Sequence, residues 1–408
     1  MRRLLMLTAA LALFATACAA AGATGDDPAT TVPVSDGSSS TSTAAPDSTP
    51  AAQGVLPDGP SALSDMSNEA FPDPLVPVDE ILSGGPPPDG IPPIDNPVFL
   101  PVADNLEILD PAEPVVFLEI NGDARAYPIR AMVWHEIVND TVGGVPVSVT
   151  YCPLCNSAVT YVREINGVET TFGTSGRLFA SALVMYDRAT ESLWTHFDGR
   201  AVVGVLTGAQ LESIASPLLS WGDFRESNPT GQVLDWNATG FNRDYGRNPY
   251  FGYDDPDTNP FLFRGTVDDR ARAKQRVVGV AIDGEAAAFS LDLISGGEAK
   301  ATSATVGDNP IVILWKAGQS SALDTQDQVT GKDVGSVGVF DPVVDGELLT
   351  FTAEGDRFVD DATSSTWTIT GEAVDGPLAG TQLERLDHLD TFWFAWSTYQ
   401  PETVLVEN

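Results

Sequence analysis

The chain repeats itself, and that limits its folds more than any other feature. Val116-Phe-Leu-Glu-Ile-Asn-Gly-Asp-Ala-Arg-Ala-Tyr127 is matched by Val278-Gly-Val-Ala-Ile-Asp-Gly-Glu-Ala-Ala-Ala-Phe289. The match continues in order. Val145–Tyr151 aligns with Asn309–Trp315, Tyr186–Trp194 with Val359–Trp367, and Leu206–Glu212 with Leu378–Glu384. Trp221 then falls opposite Trp393, and Pro229 opposite Pro401. Each copy consists of short β-branched runs between Gly, Asn and Asp turns, so each reads as strands and hairpins. Helical periodicity is brief, near Arg130 to Asn139 and near Ala209 to Leu211. The expected fold is mainly β, a β-rich α+β arrangement of two duplicated repeats packed into one body behind a disordered N-terminal tether.

Six segments follow from this. Residues 1–17 pair a short basic start (Arg2, Arg3) with an apolar run from Leu4 to Phe14, too short to span a bilayer. They lead into Cys18 through Ala15-Thr-Ala17, and Ala15-Thr-Ala-Cys18 resembles the lipobox of bacterial lipoproteins. That resemblance implies export, lipidation of Cys18 and anchoring to the outer face of the cytoplasmic membrane or the cell surface. Residues 18–60 are rich in Ser, Thr, Ala and Pro and read as a flexible tether. Residues 61–110 are Pro-rich with apolar anchors (Phe71, Leu75, Ile81, Ile91, Ile94, Phe99, Leu100), an extended segment laid over the body. The first repeat is 111–236, an aromatic acidic connector 237–275, and the second repeat 276–408. The connector is long for a passive loop and is expected to pack on the body or roof a cleft.

Composition excludes some functions. With 21 Lys+Arg against 57 Asp+Glu, the formal net charge is −36. A phosphate backbone needs clustered positive charge, so no nucleic-acid partner is expected. Three cysteines are too few for a disulfide scaffold. A protein partner is not specified by the sequence.

The two copies differ where chemistry would sit. Tyr151-Cys-Pro-Leu-Cys-Asn-Ser-Ala158 aligns with Trp315-Lys-Ala-Gly-Gln-Ser-Ser-Ala322, so Cys152 and Cys155 have no counterparts. His135 falls opposite a glycine near Gly297, and His196 opposite Ile369. Packing needs are shared by both copies, so residues confined to one copy point to function. Cys-Pro-Leu-Cys between two strand patterns reads as a knuckle of the kind that aims two thiolates at one metal, with Asn156 tolerating the positive φ the turn needs. Cys152, Cys155, His135 and His196 form a candidate Cys2His2 set for zinc or copper, with Met185 in reserve for Cu(I). Asp187 or Glu136 would orient a histidine. A redox-active dithiol and a static disulfide remain open beside the metal reading, the first making Cys152 and Cys155 catalytic and the second leaving a non-enzymatic binding module.

Weaker candidates complete the set. Ser175, His196 and Asp187 offer a hydrolytic triad without an evident oxyanion hole. Gly173-Thr-Ser-Gly176 otherwise reads as a tight turn, from which Arg177 and Ser175 could bind an anionic ligand. Asp255, Asp257 and Asn259 alternate like a calcium loop but lack its central Gly and distant Glu, so calcium is not expected. His388 reads as surface or structural.

The runs Asp89-Gly-Ile-Pro-Pro-Ile-Asp-Asn-Pro-Val-Phe99, Arg125-Ala-Tyr-Pro-Ile129, Trp134-His-Glu-Ile-Val-Asn-Asp140, Thr150-Tyr-Cys-Pro-Leu-Cys155, Phe172-Gly-Thr-Ser-Gly176, Met185-Tyr-Asp-Arg-Ala-Thr-Glu-Ser-Leu-Trp194 and Val277-Val-Gly-Val280 together resemble the bacterial family called domain of unknown function 3179, over roughly residues 89 to 406. The resemblance implies an exported or membrane-anchored protein and supplies no reaction.

Overall fold

The computed structural model describes residues 55–407. Residues 1–54 and 408, and with them Cys18, the apolar leader and most of the tether, lie outside the described residues. The described chain is mainly β with a few short helices. Among the described residues, no helix is long and apolar enough to cross a membrane.

The strand pairs form where the sequence supplies turns. Asn121-Gly122 and Asp283-Gly284 both take positive φ at each residue, the backbone of a two-residue hairpin turn whose twist suits the flanking strands. They join Pro114–Ile120 to Asp123–Pro128 and Arg276–Ile282 to Glu285–Ser290. In the first sheet the strand order is Leu218–Ser220, Pro114–Ile120, Asp123–Pro128, Gln232–Leu234 and Phe99–Pro101. In the second half it is His388–Phe392, Arg276–Ile282, Glu285–Ser290 and Val404–Val406. Gln232–Leu234 and Val404–Val406 each join parallel to a hairpin strand.

Two further sheets in each half complete the body. Ile137–Val142, Val145–Cys152 and Ser157–Val162 pair antiparallel, as do Ala299–Val306, Asn309–Lys316 and Ser336–Phe340. Phe172–Phe179, Ala182–Asp187, Leu193–Thr195 and Ala201–Val203 follow in one meander, and Phe351–Glu354, Arg357–Asp360, Thr366–Trp367 and Ala373–Asp375 in another. Each meander slips register at its tryptophan, Trp194 or Trp367, whose indole N–H donates to Asp187 or Asp360 at 3.0 and 2.9 Å.

One apolar cluster runs through both halves, from Val115, Phe117 and Trp194 to Phe392, Trp393 and Trp396. The Pro-rich segment adheres by backbone pairing. Ile94 exchanges hydrogen bonds with Ile137 and Asn139, and Leu82–Ser83 pairs with Phe172–Phe179. Ile81 and Ile94 are buried, whereas Leu75 is exposed.

Three local expectations are corrected. The helix near Arg130 is Ile129–His135 and stops four residues short of Asn139, because Glu136 takes a left-handed φ of 59° and Ile137–Val142 is a strand. Ala209 to Leu211 is not helical; the helices lie at Trp221–Ser227, Leu291–Ile294 and Trp393–Tyr399. Gly173 to Gly176 is not a tight turn but a bulged part of the Phe172–Phe179 strand, with register shifting between Thr174 and Arg177. Gly176 has φ 70°, and a Cβ there would meet the Pro86 carbonyl oxygen at 2.0 Å. The missing side chain is what lets the Pro-rich segment lie against this strand.

Candidate metal centre

Val145–Cys152 and Ser157–Val162 are joined by a four-residue turn, and Cys152 is paired across it with Ser157. Asn156 supplies the left-handed residue, with φ 51°. Its side chain is used too: its oxygen accepts from the Tyr151 hydroxyl at 3.1 Å, and its nitrogen donates to the Asp390 carbonyl at 3.3 Å. The backbone N–H groups of Leu154 and Cys155 point at Cys152 Sγ, and that of Ser157 points at Cys155 Sγ. The N–H of Leu183, from the neighbouring Ala182–Asp187 strand, donates to Cys152 Sγ at 3.4 Å. This is the donor pattern that stabilises thiolates in metal knuckles.

His196 follows the end of Leu193–Thr195 and is fixed by its backbone. Its N–H donates to the Leu183 carbonyl, and its carbonyl accepts from the Tyr161 hydroxyl at 2.8 Å. The ring is delivered to the sulfurs. Cys152 Sγ, Cys155 Sγ and a ring nitrogen of His196 all lie within 4.8 Å of one another. All three residues are buried, at 1%, 0% and 0% exposure. Neither ring nitrogen of His196 has a hydrogen-bond partner. Both cysteines are free thiols. The group could hold a metal ion, since a soft ion sits 2.0–2.3 Å from nitrogen and sulfur ligands.

The electrostatics divide the two thiols. Burial alone would raise Cys152; hydrogen bonds from the Cys155 thiol and from the N–H groups of Leu183, Cys155 and Leu154 outweigh it and leave the thiol below its ordinary value. Cys155 is pushed well up by burial and by the neighbouring Cys152 sulfur, and it bonds to Ser157 Oγ at 3.0 Å. Burial lowers His196 to about 3, so its ring is neutral and able to ligate. Burial and the nearby Cys152 sulfur raise Glu136 to about 8, against the opposing effect of its hydrogen bond with Tyr250.

The other expected residues are placed elsewhere. His135 does not join the group. Its Nδ1 donates to the Pro92 carbonyl at 2.7 Å and its Nε2 accepts from the Tyr245 hydroxyl at 2.7 Å. Glu136, the next residue, is the one whose carboxyl feels Cys152, because the left-handed backbone at 136 turns the chain between them. Neither acid orients His196: Glu136 is engaged with Tyr250, and Asp187 accepts from Thr190 and Trp194. Met185 is buried opposite Trp194 in the sheet register. The Ser175 hydroxyl donates to the Val184 carbonyl at 2.5 Å, which with the free nitrogens of His196 leaves no triad. Arg177 donates to the Leu63 carbonyl at 3.4 Å. Asp255 caps the Asp257 N–H, and Asp257 pairs with Arg272 at 3.5 Å on the surface. His388 is buried, with Nδ1 on the Leu386 carbonyl at 2.9 Å.

Several neighbours of the site carried no motif. Tyr250 and Tyr253 of the connector face Glu136 and the two sulfurs, and Tyr245 reaches His135. Tyr399, at the end of Trp393–Tyr399, lies within electrostatic reach of both sulfurs and stacks on Phe197 at 4.6 Å. The Cys155 carbonyl accepts from Thr391 Oγ1 at 2.7 Å and from the Phe392 N–H at 3.2 Å. The one advance signal for any of these was the aromatic character of the connector, which had suggested that it packs on the body or roofs a cleft.

One protein family matches the chain, over residues 88–403, and its description is "Protein of unknown function (DUF3179)". No curated protein matches the chain, and no solved structure does.

Proposed function

The chain belongs to the DUF3179 family, and within it we propose that the first half binds one transition-metal ion, zinc or copper, through Cys152, Cys155 and His196. The observation that carries this is the state of His196. A fully buried imidazole with neither nitrogen partnered costs about 1–3 kcal/mol per unsatisfied group, and native proteins tolerate this where an ion or ligand completes the site. Here the sulfurs of two thiols stand within 4.8 Å of one of its ring nitrogens. Two sulfurs and one imidazole suit zinc with a free position, or three-coordinate Cu(I). The role would be metal handling or metal-assisted chemistry.

The test is metal content of the full chain purified under reducing, anaerobic conditions. One equivalent of zinc or copper is expected, falling to near zero in Cys155→Ser and His196→Ala. Binding that survives both substitutions would remove the proposal.

A thiol–disulfide exchange role has one point in its favour, the lowered thiol of Cys152 beside the raised thiol of Cys155. The burial of both sulfurs counts against it, because exchange requires in-line access to a sulfur.

We also read the protein as exported and held to a membrane by lipid on Cys18, on the strength of the basic start, apolar run and small residues before that cysteine. The two halves read as copies of one unit, supported by the like strand orders and the paired Asp–Trp hydrogen bonds.

A further inference from the structure

Two more polar groups are buried near the same three ligands. The Ser181 hydroxyl is fully buried against the Tyr253 hydroxyl, and the half-buried Tyr399 holds its hydroxyl out of solvent with no hydrogen bond. Ser181 lies two residues before Leu183, whose N–H meets Cys152 Sγ. Tyr399 is stacked on Phe197, the residue after His196. Tyr253 faces Ser181 and both sulfurs; its hydroxyl oxygen already accepts from the Phe261 N–H at 3.0 Å, which leaves its own proton to donate. The strand turn that carries Ser181 is also strained. Ala180 and Ser181 both take positive φ, 49° and 62°, without the Asn or Gly such a turn favours.

A Cys2His set leaves one position of a tetrahedral ion open, and no further His, Cys, Asp or Glu among the described residues joins the group. Two thiolates already cancel the charge of a divalent ion, so a neutral oxygen ligand suffices. A buried water is stable where two to four polar groups receive it. On the metal reading above, we infer that the fourth position faces Ser181 and Tyr399 and takes a small oxygen-donor ligand, water or hydroxide, which a small anion can replace. The site is then an open one, able to bind and polarise a small molecule, rather than a closed structural clamp.

The experiment uses the full chain loaded with cobalt(II), titrated with sodium azide and followed by the visible d–d bands. One cobalt per chain and a saturable azide response are expected. Tyr399→Phe and Ser181→Ala should keep the cobalt and weaken azide binding roughly fivefold or more, the weight of one lost hydrogen bond. One cobalt with no azide response, or smaller losses than this in both variants, overturns the inference and leaves the metal reading standing. A wild-type chain that takes up no cobalt, zinc or copper removes both.

Discussion

His196 is where a structural and a metal-binding role predict opposite signs. If its ring is unsatisfied in the metal-free protein, His196→Phe removes two unpartnered nitrogens from the core and should raise metal-free stability by about 1 kcal/mol. The same substitution should abolish the stabilisation that zinc confers on the wild type. Urea unfolding with and without zinc checks both halves of this prediction. A metal-free variant that is markedly less stable would mean that the ring nitrogens have partners in solution. His135 makes the contrast. Its two nitrogens are engaged by Pro92 and Tyr245, so His135→Ala should cost stability and leave metal content at one equivalent.

At the scale of elements, the knuckle is held from the other half of the chain. Thr391 and Phe392 both bond to the Cys155 carbonyl, and Asn156 bonds to Asp390, which is itself paired with Arg276 at 2.6 Å. Thr391→Val should cost about 1 kcal/mol through the lost hydrogen bond and weaken metal affinity without touching a ligand. Metal competition against a chelator measures the second effect, and unchanged affinity would show that the strand packs on the knuckle without setting it. The Ala180–Ser181 turn makes a second prediction. Ala180→Asn suits the left-handed φ there and should raise stability by about 0.5 kcal/mol or more, read from the urea midpoint.

For the whole molecule, the three buried histidines, His196 among them, should make acid destabilise the fold, against the opposing effect of the single raised carboxyl of Glu136. His135 and His388 are both held below their ordinary value near 6.5, chiefly by burial. His135 is faced by the Pro92 carbonyl, Tyr245 and Arg243, and His388 by the Leu386 carbonyl, Asp387, Asp390 and Arg385. Below about pH 6.5 the unfolded chain takes up protons that the folded chain refuses, so stability is full above that pH and is lost as pH falls toward the folded values. Each histidine can contribute up to about 1.4 kcal/mol per pH unit. Urea midpoints between pH 7 and pH 5 should fall, and His388→Gln should flatten that limb. The formal charge of −36 adds self-repulsion, so added salt should raise stability at neutral pH.

By itself the sequence determined what depends on neighbours along the chain. The Asn-Gly and Asp-Gly turns fixed two hairpins, and Cys-Pro-Leu-Cys-Asn fixed a knuckle with a left-handed residue at 156, because turn geometry is set by φ preferences within a few residues. The mainly β character followed from the same local patterns. Tertiary structure alone decided which distant groups meet. Of two histidines that looked equivalent, only His196 reaches the sulfurs, because Leu183 anchors its backbone beside Cys152, while one left-handed residue at Glu136 puts His135 against Pro92 and Tyr245. Ser181 and Tyr399 carry no local signal of where they lie, and Tyr253 only the aromatic character of its connector. Strand register and helix packing bring these residues, tens to hundreds of positions apart along the chain, into the neighbourhood of the two sulfurs.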